Sequence, residues 1–256
     1  MTAIVLATQN AKWIHASFGL RYLRANLAEL RDDSAILEFE IGQRPVDVAE
    51  AILAQDPRIV GLGVYIWNAA QALQLARVLK RVRPGLCLVV GGPEVSYETE
   101  LQQICQIADH VVRGEADLAF RDLCRRVLAG ETGLPRVVDA VLPHFEQLAP
   151  PYAEYSETDI RHRVIYVESS RGCPFTCEFC LSSLDIPVRK APLQAFLAQM
   201  ETLLQRGVRH FKFVDRTFNL GIESAAAILR FFRERWRPGL FLHFELIPDR
   251  LPERLR

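Results

Sequence analysis

Three cysteines within eight residues, Cys173, Cys177 and Cys180 in SSRGCPFTCEFCLSS, form the pattern CxxxCxxC. Cysteine thiolates hold iron–sulfur clusters, usually four at a time. Three of them leave one iron of a [4Fe–4S] cube without a protein ligand and open to an exogenous chelate. Gly172, just ahead, permits the backbone contortion needed to wrap one short loop around three corners. Zinc also takes Cys3His sites, but its usual clips are paired CxxC or HxxxH elements, and no histidine or fourth cysteine lies within ten residues of the triad. A bacterial ferredoxin loop has another rhythm and a fourth cysteine. The remaining cysteines read differently: Cys87 lies in an apolar run and Cys105 and Cys124 on amphipathic stretches, where a buried thiol behaves as a small hydrophobe.

The triad follows directly on a β-like run at residues 164–168. After it come a helix around 193–206, a strand at 208–214, a helix at 223–235 and a strand at 240–246. That βαβαβ string is the beginning of a (β/α) barrel, whose catalytic groups gather at the carboxyl ends of the strands. Asp215 ends the second strand and Glu245 the third, with His243 on the same face by the period of two; each is equally at home as an ordinary strand-end polar residue. The stretch from 164 to 256 is well short of the roughly 250 residues of a full barrel. A further helix is barely begun in the closing PDRLPERLR, so the expectation is a piece of a longer protein.

Ahead of this unit, β-like runs at 3–7, 35–40, 59–64, 86–90 and 110–112 alternate with helical stretches. Leu20, Leu23, Leu27 and Leu30 recur at helical spacing, as do Leu75, Val78, Leu79 and Val82, and weaker helices fit 46–54, 97–107 and 116–128. Continuous Val/Ile/Leu runs are strands buried on both faces and joined by crossover helices, which predicts a doubly wound, five-stranded parallel sheet. Residues 132–163 lose the periodicity and carry Pro135, Pro143, Pro150 and Pro151, as a linker does. The expected domains are thus 1–131, a linker over 132–163, and 164–256.

Ligands of open doubly wound sheets bind outside the carboxyl ends of the strands, at the switch point. The loops there are Thr8-Gln9-Asn10, Gly63-Val64-Tyr65-Ile66-Trp67-Asn68, Gly91-Gly92-Pro93-Glu94 and Arg113-Gly114-Glu115-Ala116-Asp117. Paired glycines let a large ligand approach the backbone, although glycine after a strand is often only a turn.

With 31 basic and 31 acidic side chains, the sequence has no global field to attract nucleic acid or an anionic membrane. Basic stretches such as Arg161-His162-Arg163 read as solvated faces. The opening MTAIVLATQNAKW lacks the pattern of a signal peptide, and no apolar run approaches the ~20 residues of a membrane span. A cytoplasmic protein with a small-molecule substrate is the expectation.

CxxxCxxC after the first strand of a (β/α) unit, with Phe179 just before the last cysteine, resembles the signature of the radical S-adenosylmethionine (SAM) superfamily. The resemblance implies that Cys173, Cys177 and Cys180 hold a [4Fe–4S] cluster, with Phe179 beside the cofactors. It implies that the open iron chelates the methionyl amine and carboxylate of SAM. An electron, supplied by a donor such as flavodoxin or ferredoxin, then cleaves the sulfonium to a 5′-deoxyadenosyl radical. Family members usually carry Gly-Gly-Glu at the end of the second strand to hold the amine. Here Asp215-Arg216-Thr217-Phe218-Asn219 stands in that place, so Asp215 is the carboxylate offered to the amine, with Glu245 as a second candidate.

GLGVYIWN, LVVGGPE and VVRGEAD, in this order and spacing, resemble the flavodoxin-like cobalamin-binding domain that precedes the barrel in cobalamin-dependent radical SAM enzymes. ATQNAKWIHASFGLRYL resembles a bacterial subgroup of these. The implied cobalamin-binding residues are Thr8, Gln9, Asn10, Gly63, Val64, Tyr65, Trp67, Gly91, Gly92, Pro93, Gly114 and Glu115, with Tyr65 and Trp67 either covering the corrin or packing in the core. The Asp-x-His-x-x-Gly loop that gives cobalt a histidine is not matched: Trp13 stands where aspartate belongs, and His15 is one residue too far from Gly19. The implied reaction is methyl transfer from methylcobalamin to a substrate carbon radical, with other cobalamin-dependent radical rearrangements left open. Two other readings stay open: a radical SAM enzyme whose first domain has lost cobalamin, and a non-catalytic iron–sulfur or cobalamin carrier.

Overall fold

Strand β1 (Ile4–Asn10) is buried along its whole length, as a continuous apolar run demands of a central parallel strand. In the structure, a computed structural model describing residues 2–184 and 187–248, it pairs in parallel with β2 (Ser34–Glu40) on one side and β3 (Ile59–Gly63) on the other. Strands β4 (Cys87–Gly91), β5 (His110–Arg113) and β6 (Val137–Asp139) follow outward, so the order is β2-β1-β3-β4-β5-β6, all parallel. The crossovers carry α1 (Phe18–Ala25), α2 (Pro45–Leu53), α3 (Ala69–Val82), α4 (Gln103–Ile107) and α5 (Asp117–Leu128). The alternation along the strands divides the core in two. Ile4, Leu6 and Val89 pack with Leu20 of α1 and Phe120 and Leu123 of α5, whereas Val5, Val60 and Val90 face Ile52 of α2, Leu75 and Leu79 of α3 and Ile104 of α4.

The sheet has six strands and not the expected five. β6 lies in the stretch read as a linker and is only three residues long behind Pro135, too short to show a period. Its ends are fixed by Val111 N donating to Arg136 O (2.7 Å) and Ala140 N to Arg113 O (3.0 Å). The helix expected over 97–107 is shorter as well. Glu98 adopts φ 49° and a single 3-10 turn follows, so only Gln103–Ile107 is α-helical.

By its contacts the chain divides into two units. The first runs to Pro143 and includes Leu148–Glu154; the second comprises His144–Gln147 and the chain from Tyr155 onward. Residues Leu148–Glu154 are held to the first unit by Glu154, whose buried carboxylate accepts from both Arg24 and Arg31. The second unit opens with α6 (Glu157–His162), started by a reciprocal capping box between Ser156 and Asp159.

Next come β7 (Ile165–Val167), a two-residue antiparallel ribbon of β8 (Ser170–Arg171) with β9 (Arg189–Lys190), α7 (Leu193–Gln205), β10 (His210–Phe213), α8 (Ile222–Glu234) and β11 (Phe241–His243). The parallel order β11-β10-β7 is that of a βαβαβ unit. Phe211 and Phe213 of β10 point to the helices, where Phe196 of α7 and Phe232 of α8 meet them edge-on at 5.1–6.1 Å. The third strand ends at His243, so Glu245 lies two residues beyond it and the period-two relation between them does not hold. Among the described residues no helix is long and apolar enough to cross a membrane. Of PDRLPERLR, everything after Pro248 lies outside the described residues.

Candidate functional site

From β1 the chain crosses to β2 on one side, and β3 lies on the other, which opens a crevice at their carboxyl ends. Asn68 closes its floor. Its Nδ2 donates to Thr8 Oγ1, Gln9 O and Gly63 O (3.1 Å each), its Oδ1 accepts from Tyr65 N (2.8 Å), and Thr8 Oγ1 donates to Gly63 O (2.9 Å). On the sequence Asn68 is only the last residue of a loop; its role rests on reaching Thr8 and Gln9 of β1, about sixty residues away along the chain.

Gln9 is 2% exposed, yet among the described residues neither its Nε2 nor its Oε1 has a hydrogen-bond partner. Leaving a buried amide unmet costs about 1–3 kcal/mol, which sets Gln9 apart from the satisfied groups around it. Beside it Tyr65 and Trp67 stack with centroids 4.5 Å apart and planes at 7°. Trp67 is 47% exposed, whereas burial raises the pKa of the Tyr65 phenol, whose hydroxyl fills the space at Gly19: a Cβ there would sit 3.2 Å from it.

The β1–α1 loop is anchored from β2. Glu38 accepts from Arg21 (2.8 Å), from Asn10 Nδ2 (2.9 Å) and from the backbone of Ser17, and Asn10 Nδ2 also donates to His15 O (2.7 Å). Burial works to raise the Glu38 carboxyl; the Arg21 charge and these hydrogen bonds outweigh it and hold the carboxyl below its ordinary value. Arg21 and Glu38 carried no signal in the sequence.

At the end of β4, Gly92 stands at φ 115°, and a Cβ would come within 2.4 Å of Val64 O. Glycine is therefore demanded here by the chain's own backbone, with Val64 N donating to Gly91 O (2.8 Å). Val64 is buried, Glu115 half-buried, and Pro93 and Gly114 exposed.

The cysteine loop starts from β7. Glu168 accepts from Arg171 Nε (2.7 Å), whose guanidinium lies over the Phe145 ring, and Gly172 turns the chain at φ 89°. Cys173 is buried, Cys177 exposed and Cys180 half-buried, and all six cysteines are free thiols. Cys180 N donates to Cys177 O (3.1 Å), closing a turn that sets these two on neighbouring positions, and Ser183 caps it by donating to Cys180 O. Phe179 is 95% exposed. Among the described residues no three His, Cys, Asp or Glu side chains converge on a point where one ion could sit. A cube takes one thiolate per iron, so its ligands need not meet at a point, and an all-thiolate donor set suits it.

Asp215, at the end of β10, is wholly buried; its carboxylate accepts from Ser169 N (3.1 and 3.0 Å), Ser169 Oγ (2.6 Å) and Ser170 Oγ (2.7 Å). Glu245 is more open and faces Arg216 at 3.3 Å. Thr217 Oγ1 is buried without a partner among the described residues, and Thr217 lines a cavity of about 20 Å³ with Ser169, Ser170 and Ser224.

Comparison with known proteins bears on the first unit most directly. Residues 4–124 match the B12 binding domain model. The uncharacterized methyltransferase PH0819 of Pyrococcus horikoshii is 30% identical over 236 residues, covering 82% of this chain and 50% of that protein. The cobalamin-dependent radical SAM methyltransferase TokK of Streptomyces tokunonensis is 27% identical over 52% of this chain and 23% of its own length. Among solved structures, the radical SAM methyltransferase TsrM from Kitasatospora setae, with cobalamin and a [4Fe–4S] cluster bound, superposes with a TM-score of 0.68 at 18% identity over 92% of this chain and 51% of that one. The chain thus spans about half or less of the length of these relatives. Residues 4–124 belong to the B12-binding domain family, and the chain is similar in sequence to the cobalamin-dependent radical SAM methyltransferase TokK and in fold to TsrM.

Proposed function

We propose that the chain forms the cofactor-binding half of a cobalamin-dependent radical SAM methyltransferase acting on a small molecule. The observation that carries this is the pairing, in one chain, of a B12-binding domain with three free thiols on a loop at the carboxyl end of a parallel strand. When bound, the cluster supplies the electron that splits SAM, and cobalamin carries the methyl group.

The chain's own residues bind and orient. Cys173, Cys177 and Cys180 would hold the cluster, with the exposed Phe179 beside it. The crevice between β1 and β3 holds cobalamin, with the Gln9 amide as its buried polar contact and Tyr65 and Trp67 as a stacked apolar face. Thr8 and Asn10 keep the crevice in shape through Gly63 and His15. Of the two strand-end carboxylates, Glu245 has a 40% exposed side chain to offer the methionyl amine, whereas the Asp215 oxygens are committed to Ser169 and Ser170. A reduced flavodoxin or ferredoxin is the matching electron donor.

The test is anaerobic reconstitution with iron and sulfide, with parallel titration of hydroxocobalamin. About four irons per chain are expected, lost in Cys177→Ala. Tight zinc, or a cluster indifferent to Cys177, would overturn the iron–sulfur reading; failure to bind hydroxocobalamin would overturn the cobalamin one.

A further inference from the structure

Asp215 carries a buried carboxylate whose partners among the described residues are all neutral: one backbone N–H and two hydroxyls, from Ser169 and Ser170. Burial raises its pKa, against the pull of those same hydrogen bonds. Such a group is expensive to keep, since a buried charge without a counter-ion is tolerated only where hydrogen bonds replace water. What it holds is the base of the cysteine loop. Ser169 O accepts from Ala191 N (2.9 Å), and Ser170 and Arg171 pair with Lys190 and Arg189. The entry and the exit of the loop are thereby joined at the point that Asp215 grips.

Four residues on, Asn219 does the same for the chain beyond β11. It is 1% exposed, donating from Nδ2 to Ile247 O and accepting at Oδ1 from Ile247 N (2.8 Å each), while Phe218 N donates to Glu245 O (3.2 Å). The segment after β10 therefore ties together the segments that follow β7 and β11.

We infer that Asp215 is the positioning residue of the cysteine loop, fixing through Ser169 and Ser170 the place from which Cys173, Cys177 and Cys180 are presented. Asn219 is its counterpart on the other side of the same strand end. The inference rests on the cluster reading for its metal readout and on geometry alone for its backbone readout.

Amide exchange by mass spectrometry, with iron counting and electron paramagnetic resonance after reconstitution, tests it on the whole chain. In Asp215→Ala, peptides spanning 170–184 should exchange about tenfold faster or more, while α7 and α8 keep their protection. Iron should fall severalfold, and the remaining cluster signal should broaden. Asp215→Asn should lie between, because its amide oxygen still accepts while its nitrogen faces donors.

Loop exchange and iron within about twofold of wild type in Asp215→Ala would overturn the inference. If that variant strips α7 and α8 as well, Ser170→Ala decides, since it deletes one bond at a half-buried hydroxyl: faster loop exchange supports the inference, and unchanged exchange overturns it. A wild type that takes up no iron counts against the proposed function, and the exchange result still judges Asp215.

Discussion

The carboxyl edges of the two parallel sheets are built on different plans. On the six-stranded sheet, short loops lock onto one another through groups that are already satisfied: Asn68 across β1 and β3, Glu38 under the β1–α1 loop, Val64 against Gly92. Among the described residues, Gln9 is left buried there with both polar atoms of its amide unmet. On the three-stranded sheet, one long loop carries the reactive groups and is held at its base. A large organic cofactor is recognised by a surface made beforehand, so rigidity belongs in the crevice itself. A cluster becomes part of the loop through covalent ligation, so rigidity belongs where the loop leaves the fold. The cysteines divide in the same way: Cys105 and Cys124 are core, whereas Cys177 is exposed.

The sharpest way to break this contrast is to unlock the preformed edge. Glu38→Gln leaves Arg21 buried without its counter-charge and should cost about 3–5 kcal/mol, read in urea by Trp fluorescence. A loss below about 1 kcal/mol would put Glu38 in the class of exposed pairs. Because the folded carboxyl is held below its unfolded value, its contribution is present above that value and lost as pH falls through the folded one. The wild type should therefore weaken below the ordinary glutamate pKa of ~4.3, and the variant should show less of this dependence.

Next in size is thiol reactivity. Burial pushes Cys87 and Cys105 up to about 11 and Cys124 higher still. At pH 8 roughly one in a thousand of a thiol titrating near 11 is thiolate. Iodoacetamide on the cluster-free chain should label Cys177 first and Cys87 and Cys105 about a hundredfold more slowly than a reference peptide thiol. Comparable labelling of all six would erase the division between core and loop.

The smallest effect sharpens the comparison most. Gln9→Leu should leave the free protein as stable or about 1 kcal/mol more so, because an unmet amide disappears, while weakening hydroxocobalamin about tenfold. Equal affinity with and without the amide would make Gln9 a tolerated flaw and not a contact.

Much of this was legible in the sequence. The alternation of apolar runs gave the doubly wound order because buried parallel strands leave a continuous signal, and the cysteine spacing stood out because few chemistries need it. β6 was hidden by its three residues, and the helix over 97–107 failed because the backbone at Glu98 turns left-handed where no glycine warns of it. Asp215 was placed at the right strand end, but its partners precede it by 45 and 46 residues in the chain, and no local pattern reports a long-range hydrogen bond. Asn68, Arg21 and Glu38 escaped for the same reason.

The two-rung ribbon of β8 and β9 has one more consequence. With its ends already brought together, the segment between them meets most of its loop-closure entropy at the ribbon. Doubling such a loop adds only about 0.6 kcal/mol. Outside the three cysteines its length is thus nearly free to drift, and a loop of another length that keeps the CxxxCxxC spacing should be accepted on these two rungs with little penalty.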